Sequence, residues 1–523
     1  MSSNLMKRLE APLVFEGQVM DNVHGFISYT KAEKDIMDTQ LFKRLQSLKQ
    51  LSVVNWVFPG SEHTRYIHSL GVMHVADKMA ISMKLTNRER RILRMAGLLH
   101  DIGHYPLSHV GEGPYRSPFN EDIMHLDDPQ QFFDAINTEV YDRIRDDHIK
   151  LKTNLMKASQ KQHHEAVGAA IVCNNKRIRS IVEKELGEGA ADIIADIITG
   201  NVDREETNPM KKTDPLWVQI MHSELDADGI DYLMRDSMFA GTSFGSGEID
   251  QLIRCLTVGY DPESGARIMC IKPKGIPAAD QYLMNKFFHY TQVVFNRHIG
   301  ISEWMARVVI GWMRDNYSVF YEDKKWMFPS EEKLDEWMAK GGPYDYLKFT
   351  DNQFWTAIED LRSGYKPPEH IKRFCKYLID HEEPKLAKPE EIRIVSRNDK
   401  RIRDRLKMSD TWEKKGKCGK WITIMESRTM TNEMPEEKFR EYLNGLRQKN
   451  EKEPDAPADQ KNFTDEEMDE IIRVAKLKRL MECICVKNRN GEIKVLCDHE
   501  QSLMQDMYNE TVAILRSYQY SDK

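Results

Sequence analysis

LTNRERRILRMAGLLHDIGHYPLSH, residues 85–109, is the stretch on which the reading of this chain turns. Ile92, Leu93, Ala96 and Leu99 fall on one helical face, and Thr86 or Asn87 stands where a side chain caps a first turn. That spacing predicts a buried helix whose far end carries His100 and Asp101. Adjacent side chains on a helix point about 100° apart. A His–Asp pair therefore converges on one ion only where the helix ends and the backbone turns, and Gly103 is read as letting it turn. Imidazole nitrogen and carboxylate oxygen are ligands for a borderline or hard divalent ion.

Partners for that pair lie on both sides. Upstream, HTRYIHSLGV (63–72) holds His63, Arg65 and His68; downstream, SELDADGIDYLMRD (223–236) holds Asp228. His104, His109 and His164, the last in KQHHEAVG (161–168), add three more imidazoles. Any one histidine in an apolar helix is more often a hydrogen-bonded core residue than a ligand. Six together with two aspartates are too many titratable groups for a core, and they point to a catalytic centre.

In order, FPGSEHTRYIHSLGV, GLLHDIGHYPLSH, HHE and LDADGIDYLMRD resemble the HD-domain phosphohydrolases, and more narrowly the deoxynucleoside triphosphate triphosphohydrolases. The collinear match runs from about residue 19 to about residue 255. The resemblance implies His68, His100, Asp101 and Asp228 as metal ligands and Arg65 as a phosphate clamp. It implies Gln50 as the partner of a sugar 3′-hydroxyl and Leu51 as the residue that crowds the 2′ position. Tyr232 and Asp236 line the sugar and phosphate side. Without the family, Gln50 reads equally as a solvated helix residue, and Asp236 as an ion-pair partner of Arg235 or a helix cap. By the same resemblance His109 is a general acid, His104 and His164 contact phosphate, and Glu112 replaces an orienting aspartate. His63 is expected to stay peripheral. A divalent ion (Fe, Mn, Zn, Ni or Mg) is implied, with further Mg²⁺ carried by the nucleotide.

The chain departs from that pattern in places. Gly229 stands where vertebrate members have a phosphate-binding lysine. Asp38 keeps its place in a candidate effector site, but Lys43 and Gln46 replace the guanine-reading pair, so guanine preference does not carry over. The basic run RNDKRIRDRLK (397–407) reads as a solvated face or, in the family, as a nucleotide contact. It lacks the aromatic residues that stack on single-stranded nucleic acid.

The bulk properties are those of a soluble globular protein. The 523 residues are 40% hydrophobic and 30% charged, with a net charge of −7, which argues against a generally cationic nucleic-acid binder. No run approaches the roughly 20 apolar residues of a membrane span. Eight cysteines without a CxxC pair read as reduced thiols, and the expected setting is cytoplasmic.

The expected fold is mainly α: an HD-domain helical core with short β-hairpins and a smaller α+β C-terminal region. The layout is a catalytic domain over 1–320 with a long excursion at 110–163, a helical extension over 321–395 and the α+β region over 396–523. Hairpins are predicted in LVFEGQVMDNVHGFISYT (13–30) and around Asn490-Gly491, and a flexible loop at 448–463. The function expected is metal-dependent hydrolysis of a dNTP to deoxynucleoside and triphosphate, in a nucleotide-responsive homo-oligomer (dimer, tetramer or hexamer). The alternatives are another HD phosphohydrolase, acting on a nucleoside monophosphate or cyclic dinucleotide, and a nucleotide sensor without turnover.

Overall fold

The computed structural model describes residues 3–116, 163–202, 207–208, 210–317, 328–363, 367–386, 392–396, 420–431, 465–508 and 510–520, with a few more between 436 and 444. These residues are mainly α-helical, with three small sheets among them.

The hairpin near the N-terminus pairs β1 (Phe15–Asp21) with β2 (Gly25–Thr30). Asp21 makes its turn by accepting from the backbone N–H groups of Val23 (3.0 Å) and His24 (2.8 Å), and Gly25 takes φ +70°. The stretch that follows has Ile36, Leu41, Leu45 and Leu48 at roughly helical spacing, but it does not build one helix. It breaks into α1 (Lys31–Met37), α2 (Gln40–Lys43) and a 3₁₀ turn at Arg44–Ser47, which still bury Ile36, Leu41, Leu45 and Leu48. Thr30 and Thr39 cap α1 and α2 in turn, and a side-chain cap at each start favours two short helices over one.

Helix α3 (Arg65–Ser82) packs along α4 (Asn87–Leu99). The predicted cap is Thr86: its hydroxyl accepts from Glu89 N–H, and the Glu89 carboxylate accepts from Thr86 N–H, closing a capping box. Ile92, Leu93, Ala96 and Leu99 are at most 1% exposed. Burial of each of the larger three contributes about 1.5–3 kcal/mol relative to exposure. Arg94 on the same helix is also buried, neutralised by Glu33 of α1 (2.7 Å) and Asp77 of α3 (3.0 Å), so a charged joint ties the three helices.

Helix α5 (His109–Arg116) occupies the first residues of the segment read as an excursion, with Val110, Glu112 and Tyr115 in the core. Residues 117–162, like 397–407 and 448–463, lie outside the described residues. Further along come α6 (His164–Asn174), α7 (Ala227–Ala240), α8 (Ile276–His289) and α9 (Arg297–Asp315). The extension supplies α10 (Tyr344–Leu347), α11 (Asp351–Ser363) and α12 (Glu369–Asp380).

Two four-stranded sheets join segments that the sequence reading divides. β3 (Leu256–Tyr260) and β4 (Arg267–Ile271) are continued by β8 (Cys485–Lys487), parallel to β4, and by β9 (Ile493–Val495). The β8–β9 turn is the predicted one, with Gly491 at φ +91°. In the other sheet β10 (Thr511–Tyr520) pairs along its length with β7 (Lys420–Thr429). Its opposite edge is shared by β6 (Ile392–Ser396) and β5 (Lys385–Leu386). Among the described residues no helix is long and apolar enough to cross a membrane.

Candidate active site

A short antiparallel bridge builds the first wall. Arg65 N–H donates to Leu48 O (2.9 Å) and Gln50 N–H to His63 O (3.0 Å), around the bridge between Lys49 and Thr64. The 15 residues separating Gln50 from Arg65 thus fold back on themselves, and α3 starts at Arg65 with His68 one turn further on. The second wall is the end of α4. His100 is its C-cap, and Nδ1 lies 2.8 Å from Gly97 O, a contact that holds the proton on Nδ1 and turns Nε2 toward the centre. The third is the start of α7, where Asp226 caps by accepting from Gly229 N–H (2.6 Å) and Asp228 lies in the first turn.

The four residues expected as ligands come together. Asp228 Oδ1 lies 2.9 Å from His68 Nε2 and 3.8 Å from His100 Nε2. Asp101 reaches His100 Nε2 at 3.5 Å with one oxygen and His68 Nε2 at 3.8 Å with the other. His68 Nε2 is buried facing the Asp228 carboxylate, and His100 Nε2 is buried without a hydrogen-bond partner among the described residues. Two nitrogens so oriented, facing two carboxylates across a few ångströms, are a donor set that fits a divalent ion.

Behind His68 stands a buried relay that the sequence reading did not single out. Asp231 Oδ2 lies 2.7 Å from His68 Nδ1, and Oδ1 lies 2.6 Å from His24 Nε2. Arg235 donates to both Asp231 oxygens and to Asp21 at 2.7 Å. Asp228 and Asp231 are three apart on α7 and so share a face, which is the periodic signal that points to Asp231. Gly71 admits the relay: a Cβ there would lie 1.9 Å from Asp231 Oδ1. Burial alone would lower the His68 pKa, but Asp228 and Asp231 outweigh it and raise it to about 10.

Arg65 is buried, with Nη1 2.6 Å from Asp101 and Nε donating to Ser108 Oγ at 2.9 Å. Against the cost of burial, Arg65 and the surrounding imidazoles hold Asp101 well below the usual carboxylate range. Beside it His104 stacks on His164 with centroids 4.2 Å apart, and His109 closes the group at 4.9 Å from His104. Glu112 orients two of the three, 3.0 Å from His109 Nδ1 and 3.2 Å from His164 Nδ1. Burial together with Arg65 drives the His104 pKa well below its ordinary value, whereas Glu112 overcomes burial at His164 and raises it. Gly103 acts differently from the expectation. Its φ is not positive, and its requirement is close approach: a Cβ would lie 2.2 Å from both Gly168 N and His164 O.

The outer residues divide. Gln50 is not on a helix; it is 9% exposed, and its Oε1 has no hydrogen-bond partner among the described residues. Leu51 is half-buried beside a small apolar cluster of Val54, Val293 and Ile299, and Tyr232 is half-buried near His289. Asp236 neither caps a helix nor meets Arg235. It is buried and faces His63 Nε2 (2.8 Å) and His289 Nε2 (3.4 Å), which overcome its desolvation and pull its pKa to about 2. His63, expected to be peripheral, is therefore part of the buried wall, at 3% exposure. At Gly229 a Cβ would lie 2.6 Å from both Asp226 Oδ1 and Tyr282 Oη, so this position has no room for a longer residue without rearrangement. Asp38, Lys43 and Gln46 are on the surface, with Asp38 paired to Lys34 (2.6 Å) and Lys43 (3.5 Å).

Residues 65–128 match the family model described as HD domain. The uncharacterized protein YwfO of Bacillus subtilis is 25% identical over 282 residues, 53% of this chain and 51% of that protein. The deoxynucleoside triphosphate triphosphohydrolase SAMHD1 homolog of Dictyostelium discoideum is 33% identical over 172 residues, 30% of this chain and 32% of that protein. The chain thus spans about half the length, or less, of these curated relatives. A phosphohydrolase crystal structure from Bacteroides thetaiotaomicron shares the fold at TM-score 0.56 and 17% identity, over 96% of this chain and 99% of that one. The segment that holds Arg65, His68, His100 and Asp101 is thus similar to the HD domain.

Proposed function

We propose that this protein is a metal-dependent dNTP triphosphohydrolase, releasing deoxynucleoside and intact triphosphate. The observation that carries the reading is the convergence of His68, His100, Asp101 and Asp228 beside a second, phosphate-sized group of His104, His109 and His164. The Dictyostelium relative, which carries that activity in its name, supports the substrate class. A divalent ion held by the four ligands would supply charge neutralisation and an acidified water.

The chain's own residues do the rest. Arg65 and the imidazolium of His164 neutralise phosphate oxygens as charge builds, and the neutral imidazole of His104 contacts them by hydrogen bonding. Water attacks the α-phosphorus, the bond from phosphorus to the 5′-oxygen breaks, and His109 gives that oxygen its proton. His109 suits the task because Glu112 holds its Nδ1 while its side chain is 64% exposed. The unpartnered Oε1 of Gln50 accepts from the sugar hydroxyl, and Leu51 crowds the 2′ side. A nucleotide effector at Asp38, Lys43 and Gln46 and assembly into a homo-oligomer complete the reading.

The test is anion-exchange analysis of products after incubation with each dNTP, singly and mixed, with Mg²⁺ or Mn²⁺. A His100→Ala/Asp101→Ala variant serves as the control. Deoxynucleoside plus triphosphate, lost in the variant, is the expected result, and activity only in mixtures marks the effector site. No turnover under any mixture would overturn the substrate assignment.

A further inference from the structure

The turn that carries the histidine group is not at rest by itself. Leu107 and Ser108, between His104 and His109, have φ +56° and +58°, a left-handed pair that leucine and serine adopt only when neighbours hold them. Asp351, 5% exposed at the start of α11, is one such neighbour. Its Oδ1 accepts from Leu107 N–H and its Oδ2 from Lys49 N–H, each at 2.8 Å. One carboxylate therefore ties the strained turn to the residue preceding Gln50. Ser108 closes the loop, donating through Oγ to Lys49 O (2.6 Å) and accepting from Arg65 Nε (2.9 Å).

Arg44 grips the other end of the same turn. It donates to Ile102 O (3.4 Å), to His104 O and to Phe349 O (3.0 Å), and its guanidinium lies 4.2 Å from the Tyr346 ring. It is 4% exposed and forms no ion pair among the described residues, unlike the buried Arg94 and Arg235. A buried charge committed to carbonyls of two segments fixes backbone geometry where it contributes nothing to neutralising a carboxylate.

We propose that Arg44 and Asp351 are positioning residues, through which the α10–α11 extension holds the His100–His109 turn and the Gln50 segment in the register the reaction needs. The activity readout rests on the phosphohydrolase reading above; the structural readouts do not. Neither residue touches a metal ligand's side chain, so metal content separates positioning from loss of the site.

The experiment uses the full chain with Asp351→Asn and, independently, Arg44→Lys. Asparagine keeps the size and one acceptor; lysine keeps the charge but not the planar fork. Both variants are expected to bind Mn²⁺ at the wild-type ratio. Amide exchange at Leu107 and Lys49 should rise about tenfold in Asp351→Asn, with exchange elsewhere unchanged. In both variants kcat should fall about 10²-fold, since misplacement of reacting groups by an ångström is enough. Exchange that rises uniformly along the chain, or kcat within about twofold of wild type in both variants, would overturn the proposal. If the wild type turns over no dNTP, the functional reading fails and exchange still decides. Opening confined to the turn supports the bracket, and an unchanged turn refutes it.

Discussion

Replacing Asp231 with asparagine should change how many protons the proposed metal centre releases. In the metal-free protein His68 lies between Asp228 at 2.9 Å and Asp231 at 2.7 Å, and its pKa is raised to about 10. His100, pushed down by burial, is neutral near pH 7, and Asp101 and Asp228 are held ionised by their neighbours against desolvation. Ligands bind in their deprotonated forms, so one proton leaves for each ion bound, from His68. Apparent affinity should then rise about tenfold per pH unit between about pH 6 and about pH 8. At pH 7 the proton on His68 therefore competes with the ion. Asp231→Asn removes one of the two charges that hold this proton, so the His68 pKa drops and the slope flattens at the alkaline end. It also replaces the charged oxygen that accepts from the imidazole's Nδ1–H with a neutral amide oxygen, and weakening that support should lower affinity by about 10–100-fold once proton competition is relieved. Calorimetric titration with Mn²⁺ in two buffers of different ionisation heat counts the protons directly. A flat wild-type slope, a count near two, or a wild-type slope in the variant would refute the reasoning.

Three further outcomes are expected. Gly103→Ala places a Cβ 2.2 Å from the backbone of Gly168 and His164, so the turn must shift, and Mn²⁺ bound per chain should fall; wild-type metal content would show that the two segments separate freely. Thr86→Ala opens the capping box of α4 and should cost about 0.5–2 kcal/mol in denaturant titration, leaving metal content intact. Asp351 is raised by burial from 3.8 to about 6, so its folded form holds the proton more tightly than its unfolded form. That contribution is full below about pH 4 and is lost as pH rises through about 6, roughly 3 kcal/mol in all. The stability of wild type relative to Asp351→Asn should therefore decline from pH 4 to pH 7, and a relative stability that increases would contradict the assignment.

How much of this was legible in the sequence depends on whether a feature is local. The face of α4, its cap at Thr86 and both hairpins follow from periodicity and turn chemistry within 20 residues, and they stand as read. The split of residues 31–47 into two helices and a 3₁₀ turn was less visible, because the apolar spacing suits one helix as well as three short pieces. In the candidate site, residue type brought forward His68, His100, Asp101 and Asp228, which the fold brings together, yet it could not sort the carboxylates of α7. Asp228, Asp231 and Asp236 differ in partner and not in kind, and only the fold gives Asp231 the far side of His68 and Asp236 the imidazole of His63. Arg235 illustrates the limit. Pairing it with the adjacent Asp236 ignored the roughly 100° between neighbouring helical positions, whereas Asp231, four residues earlier, lies on its own face. The Asp351 and Arg44 contacts were beyond reach, since they join segments 244 and 305 residues apart through backbone atoms that carry no sequence signature. Residues that supply ligands can be recognised from their chemistry. Those that hold the ligands' backbone in a strained shape become visible only when the chain is folded, and in this protein both Arg44, before the matched segment, and Asp351, in the extension after it, lie outside the family match.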